Sequence, residues 1–251
     1  MKLVVIGGTG LIGSKLTEQL RTRGYDAVPA APNTGVNTLT GEGLADVLKN
    51  AAVVVDVSNA PSFEEKAVME FFRTSTRNLL SHEAKAGVRH HVALSVVGAD
   101  RLFGNAYIRA KIAQEQLIRE SGIPYTIIRA TQFFEFFATM AHEATIRGQV
   151  HLPAGYIQPI AADDVANAVG KVSVGTPLNG IIEVGGPACY QFADFVRQLL
   201  HARNDSREVI VDPDARYFGA KLNDLTLVAS NGAMIGETHF EDWLSPAAPT
   251  R

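Results

Sequence analysis

The stretch that decides the fold is MKLVVIGGTGLIGSKL, residues 1–16, where GGTGLIG sets Gly7, Gly10 and Gly13 three residues apart behind a short apolar run. Glycine inside a regular element costs roughly 0.5–1 kcal/mol relative to alanine, so glycines at fixed spacing signal that something approaches the backbone. The pattern lies between a predicted strand (2–7) and a predicted helix (11–22), the context in which it reads as a dinucleotide-phosphate cradle. Gly7 makes the tight turn, Gly10 admits a pyrophosphate to the backbone, and Gly13 lets the helix pack closely on the sheet. Thr9 sits within this loop, and the N–H groups of Leu11 and Ile12 face the anion from the helix N-terminus.

Outward from the loop, short β-branched runs alternate with amphipathic stretches. Strands are expected at 2–7, 25–30, 52–58, 90–97 and 125–130, and helices at 11–22, 62–86, 106–121 and 163–172. That alternation predicts an α/β chain of the Rossmann type, a doubly wound parallel sheet. APNTGVNTLTG (31–41) reads as a loop over the sheet edge, because its Pro, Asn and Gly residues favour turns. FFEFFATMAHEATIRG reads as a helix, and HLPAGYIQPIAADDVANAV as a short strand, a loop and a helix. Residues 1–251 are expected to form a single domain, in which roughly 131–251 supply a small α+β appendage on the substrate side.

With 46% hydrophobic and 20% charged residues and a net charge of −3, the chain offers no basic surface for nucleic acid or anionic membrane. No apolar run reaches the length of a membrane span. The single cysteine, Cys189, forbids an intramolecular disulfide, so a soluble cytoplasmic protein with a small-molecule substrate is expected, and a homodimer is left open. The seven histidines show no metal-ligand spacing, and no metal is expected.

The end of the second predicted strand bears on cofactor choice. An NAD site would carry Asp or Glu there for the ribose 2′-hydroxyl; this chain has Ala30, Ala31, Pro32, Asn33 and Thr34. Nothing in that run repels a 2′-phosphate, and Asn33, Thr34 and Lys15 could donate to one, so NADP(H) is expected over NAD(H). Further along, Ser95 ends a strand, and Tyr107 and Lys111 lie four apart on one helical face. A tyrosine that exchanges a proton with a substrate oxygen needs its pKa drawn toward neutrality, and a neighbouring ammonium favours the phenolate. Ser95, Tyr107 and Lys111 are therefore the candidate catalytic set, against the simpler reading of an interfacial tyrosine and a solvated lysine.

GGTGLIG, the strand end DVSNAP, the Ser95 strand and YIRAK together resemble the short-chain dehydrogenase/reductase superfamily. More narrowly, ESGIPYTIIRATQFFEF followed by QPIAADDVANAV resembles its atypical NmrA-like branch, which has sugar-epimerase-like relatives. The resemblance implies that the glycine loop binds NAD(P) and that Ser58, Asn59 and Ala60 line the cofactor. It also implies that Ser95 and Tyr107 face the substrate while Lys111 holds the nicotinamide ribose. The branch often lacks the tyrosine, and some members sense nucleotides without turning them over. Here both Tyr107 and Lys111 are present, which favours an enzyme.

Thr131, Phe133 and Phe134 follow the fifth strand and are the expected substrate contacts, in an aromatic run in which some rings must be core. Asp163 and Asp164 are expected to be a helix N-cap and first turn without chemistry. The function these readings imply is an NAD(P)H-dependent reductase of a small carbonyl, enone or quinone-like compound. A non-catalytic nucleotide sensor and a nucleotide-sugar epimerase or dehydratase are the alternatives.

Overall fold

The structure is a computed structural model and describes residues 1–102 and 104–245. The first half of the chain alternates as the periodicity predicts. Strand β1 (Lys2–Ile6) leads into helix α1 (Leu11–Thr22), then β2 (Asp26–Ala30), α2 (Leu44–Val47) and β3 (Val53–Asp56). Helix α3 (Glu65–Ala86), β4 (His90–Val96), α4 (Ala106–Glu120) and β5 (Tyr125–Ala130) follow. The helix boundaries have local causes. Glu64 caps α3 by accepting from the backbone N–H groups of Lys66 and Ala67, and Gly87, with φ +71°, ends it in the left-handed conformation that glycine adopts without strain. Asn105 caps α4 by accepting from Ile108 N at 3.1 Å.

The segment expected to be one helix from Phe133 to Gly148 divides. A 3₁₀ turn at Phe134–Phe136 leads into α5 (Phe137–Glu143), and the chain then forms β6 (Thr145–Ile146) and β7 (Gln149–Leu152). Arg147 (φ +50°) and Gly148 (φ +84°) join those two strands. Two successive positive-φ residues are the signature of a tight hairpin, which ends the helix before them. Next come β8 (Tyr156–Ile157), α6 (Ala162–Ser173), β9 (Gly180–Gly185), β10 (Tyr190–Gln191), α7 (Phe192–Ala202), β11 (Val209–Val211), β12 (Met234–Ile235) and α8 (Phe240–Leu244).

Seven strands form the central sheet in the order β12-β9-β5-β4-β3-β1-β2, and every pairing is parallel. The C-terminal stretch is thus not wholly an appendage: β9 extends the sheet beside β5, β12 closes its edge, and α6 packs on α1. The small sheets β11-β7-β6 and β10-β8 lie outside it. α3 and α4 pair on the other face, giving three layers. Leu3, Val5, Leu16, Leu20, Val165 and Val169 fill one side of the sheet, and Val4, Ile6, Val54 and Leu79 the other.

From β1 the chain passes to β2 on one side and, after it, to β3 on the other. The reversal opens a crevice beyond the C-terminal ends of β1 and β3, where ligands bind in open α/β sheets. Both the glycine loop and Ser58 emerge there.

Candidate cofactor and substrate site

The glycine loop has the geometry its spacing predicts. Gly7 has φ +76°, and a Cβ on it would lie 2.8 Å from Ser58 N and Cα, so the turns after β1 and β3 touch through bare backbone. A Cβ on Gly13 would lie 2.2 Å from Gly7 O and 2.7 Å from Gly8 Cα. A Cβ on Gly10 would meet only Gly7 O, at 3.3 Å. Gly10 therefore faces open space, whereas Gly13 is locked into the fold. Gly10 begins α1 with no side-chain cap, and the first turn of the helix carries no acidic residue. A bare helix N-terminus opposite an open glycine is a fit for a pyrophosphate.

At the end of β2, Asn33 lies in a 3₁₀ turn and its Oδ1 accepts from Thr9 Oγ1 at 3.1 Å, which turns the amide Nδ2 outward. Thr34 is committed locally: its hydroxyl accepts from Ala31 N and donates to Ala31 O, both at 2.9 Å. Lys15 reaches α6, with Nζ 2.9 Å from both carboxylate oxygens of Asp163. Of the three groups expected to greet a 2′-phosphate, Asn33 is the one left facing outward. Ala161 caps α6, not Asp163 or Asp164; both aspartates lie in its first turn, where Asp164 accepts from Thr238 N at 2.8 Å.

No hydrogen bond joins the expected set of Ser95, Tyr107 and Lys111. Ser95 stands beside Arg129 in register, and its hydroxyl donates to Glu115 Oε1 at 2.6 Å. Glu115 also accepts from Arg129 Nε at 3.0 Å, from Arg129 Nη2 at 2.8 Å and from Arg119 Nη2 at 2.9 Å. Arg129 in turn meets Asp100 at 2.9 Å. Ser95 thus belongs to a satisfied buried charge cluster that ties β4, β5 and α4, because a carboxylate taken from water needs each of these donors.

Lys111 is almost wholly buried. Its ammonium donates to Leu94 O at 2.8 Å and to Gln114 Oε1, and stands 4.5 Å from the centre of the Phe72 ring. Gln114 Nε2 donates to Asp56 Oδ2 at 2.9 Å, and Asp56 Oδ1 accepts from Ser58 Oγ at 2.6 Å. A buried polar chain thus joins the loop beside Gly7 to α4. Burial lowers Lys111 to about 8, against the partial support of Asp56 and Glu115.

Tyr107 is half-buried, its ring edge-on to Phe72 at 5.8 Å and tilted against Phe63 at 5.6 Å. Burial pushes its hydroxyl up to about 12, so the expected lowering by Lys111 does not occur. Tyr107 packs at the margin of the cluster that holds Ala60, Phe72 and Ala110, which places it next to the loop after β3. Asn59 accepts from Ala60 N at 3.0 Å and so shapes that loop.

On the substrate side, Phe134 leaves the expected set: it is 1% exposed and packs against Phe195, Phe240 and Trp243 in the aromatic core. Phe133 is partly exposed beside Ile160, and Thr131 is buried with its hydroxyl unpaired.

With this geometry in place, comparison with known proteins settles the family. A profile of the NAD(P)H-binding family matches residues 7–172, from the glycine loop to the end of α6. The chain belongs to that family. The resemblance to the NmrA-like branch of the short-chain dehydrogenases/reductases holds as well. This NAD(P)H-binding chain is 24% identical over 149 residues to the photosystem II assembly factor Ycf39 of Synechocystis sp., covering 54% of the chain and 46% of that protein. It therefore spans about half the length of the curated relatives of that type. It is 25% identical over 213 residues to a (4-alkanoyl-5-oxo-2,5-dihydrofuran-3-yl)methyl phosphate reductase of Streptomyces griseus, covering 78% of the chain and 72% of the relative. The fold matches a dTDP-4-dehydrorhamnose reductase of Bacillus anthracis solved with NADP, with a TM-score of 0.71 at 19% identity over 97% of this chain and 96% of that one.

Sequence reasoning missed several residues around this candidate site. Asp56 closes the run AVVVD as a lone carboxylate among apolar neighbours, and Gln114 stands three residues beyond Lys111; both signals were local. Tyr217 had none. It reaches the site through the turn Tyr217–Ala220, whose backbone packs on Gly104, next to the cap of α4. No described helix is long and apolar enough to cross a membrane.

Proposed function

We propose that this chain is an NADP(H)-preferring reductase of a small, neutral carbonyl, enone or quinone-like compound. The observation that carries the reading is Tyr107, a phenol held protonated between Phe63 and Phe72 and packed beside the loop that adjoins the glycine cradle. When bound, the reduced nicotinamide supplies the hydride taken up by the substrate carbon. Tyr107 donates a hydrogen bond to the substrate oxygen, stabilises the charge that develops there and gives it a proton, which solvent restores. A carbonyl thereby becomes an alcohol. Lys111, whose ammonium keeps one N–H beyond those given to Leu94 O and Gln114, would hold the nicotinamide ribose with that remaining donor, while Asp56 and Ser58 fix the loop beside the cofactor. Ser95 has no part in this step.

NADP(H) preference rests on the Asn33 amide and on the absence of a carboxylate from Ala30 to Thr34. Residues from about 131 onward supply the substrate side, and the cytoplasm is the compartment this reading assigns. Replacing Tyr107 by Phe removes the hydroxyl alone, so turnover falls about 100-fold or more while NADPH affinity stays within about twofold. Unchanged turnover would defeat the assignment.

One observation favours a second reading, a nucleotide sensor. Ser95 is spent on Glu115 and Lys111 on Leu94 O and Gln114, so the proton-transfer set is not assembled around Tyr107. A sensor binds NADPH without consuming it in the presence of any carbonyl.

A further inference from the structure

At the end of β5 the structure buries polar groups that make no close hydrogen bond among the described residues. Gln132 is 6% exposed, yet neither its amide oxygen nor its amide nitrogen has a hydrogen-bond partner, and Thr131 Oγ1, 1% exposed, has none either. The Gln132 backbone is anchored just beyond the C-terminal end of β5, its carbonyl accepting from Ile160 N at 3.0 Å. An unpaired buried amide is rare and costly, and it is retained where a ligand or water completes it. The Tyr217 hydroxyl lies within reach of the Gln132 amide, without a close hydrogen bond between them, and within electrostatic range of Tyr107. Tyr217 is itself fixed by a tight turn, exchanging hydrogen bonds with Ala220 at 2.9 and 3.0 Å across Phe218 (φ +45°) and Gly219 (φ +89°).

The buried charges nearby are spoken for. Arg129 is saturated by Glu115 and Asp100, and Lys111 is directed into Leu94 O and Gln114 behind Phe72. Neither offers a cation to a phosphate or carboxylate, and Arg216, next to Tyr217, is an exposed side chain bonded to Ala215 O. The groups that remain are one amide, which both donates and accepts, two phenols and surrounding rings, among them Phe63, Phe136 and Phe218.

We infer that Gln132, with Tyr217, is a specificity site that reads a second oxygen of a flat, uncharged substrate while Tyr107 holds the first, which selects quinones and cyclic enediones over simple ketones. The inference rests on the reductase reading and narrows its substrate class. A group kept for a ligand differs from one kept for the fold. Removing an unsatisfied buried amide leaves stability unchanged or raises it, whereas removing a structural one lowers it.

The test uses the full chain saturated with NADP⁺, which allows binding without turnover, and calorimetric titration with tetramethyl-1,4-benzoquinone or 2-cyclohexenone. Wild type binds the quinone more tightly. Gln132→Leu weakens the quinone about tenfold or more, leaves the enone within about twofold, and leaves the thermal midpoint equal or higher. Tyr217→Phe moves the quinone affinity in the same direction and by itself decides the matter if Gln132→Leu does not fold. Equal affinity of wild type for the two compounds overturns the inference, even if both are later shown to be reduced and the reductase reading stands. A lower midpoint for Gln132→Leu with unchanged quinone affinity also overturns it. Binding of neither compound overturns this inference, while the reductase reading falls only if no neutral carbonyl, enone or quinone supports oxidation of NADPH.

Discussion

Gly10 and Gly13 look alike in the sequence but have different surroundings, which allows fold and cofactor binding to be separated by one methyl group. In Gly13→Ala the new Cβ would sit 2.2 Å from Gly7 O and 2.7 Å from Gly8 Cα, both backbone atoms that cannot swing aside. Relieving such a contact moves α1 away from β1, and overpacking of this kind costs about 1–3 kcal/mol or more. In Gly10→Ala the new Cβ meets only Gly7 O, at 3.3 Å, a contact relieved by a few tenths of an ångström, and φ at this residue is −82°, which alanine accepts. The cost to the fold is then a few tenths of a kcal/mol to about 1 kcal/mol, as expected for alanine in place of glycine at a helix N-cap. The same methyl group projects into the space a pyrophosphate must enter. Losing one charge-assisted hydrogen bond there, about 1.5–3 kcal/mol, weakens NADPH roughly 10- to 100-fold. Urea denaturation and calorimetric titration with NADPH on both variants measure the two quantities. A Gly10→Ala protein that is nearly as stable as wild type but binds NADPH as well would refute the cradle, and a fully stable Gly13→Ala protein would refute the packing.

Three further outcomes follow from groups already described. Lys111, lowered to about 8 by burial, is charged below that pH and neutral above it, so kcat/KM for NADPH declines as pH rises through about 8; Lys111→Met removes that limb, and Tyr107, at about 12, adds none below pH 10. His90, 3% exposed and lowered by burial from 6.5 to about 4, stays neutral in the fold while the unfolded chain takes up a proton below 6.5. Its contribution is complete above 6.5 and lost as pH falls toward 4, by about 3 kcal/mol in all, so a His90→Asn variant shows a flatter stability profile by urea denaturation between those limits. Asn33→Asp keeps an oxygen to accept from Thr9 but replaces the outward amide by a charge that repels a 2′-phosphate, so fluorescence titration finds NADH bound more tightly than NADPH; an unaltered order shows the 2′-position is read elsewhere.

The parts of this account legible in the sequence are those set by local chemistry. GGTGLIG needs only its own backbone and the strand before it to make a cradle, and α1 and β5 fall where their periodicity puts them. The site's side chains were less legible because their directions depend on partners far along the chain. Ser95 stands at the edge of the sheet as expected, but its hydroxyl is claimed by Glu115, which Arg129 also holds, and no local pattern reveals that claim. Phe134 and Phe133 are neighbours in one aromatic run, yet Phe195 and Phe240, supplied by helices more than fifty residues later, bury the first. The strand GIIEVG was hidden by its polar neighbours and an exposed Ile181, and the helix expected across 133–148 was cut short by the hairpin at Arg147 and Gly148.

The measurement that tests the central claim most directly follows the absorbance of reduced nicotinamide while wild-type protein is mixed with NADPH and a panel of neutral ketones, cyclic enones and quinones. The account predicts oxidation of NADPH that requires both protein and substrate, is fastest with the quinones, and is lost in Tyr107→Phe. Binding of NADPH with no substrate-dependent oxidation across the panel would contradict the reductase and leave the sensor.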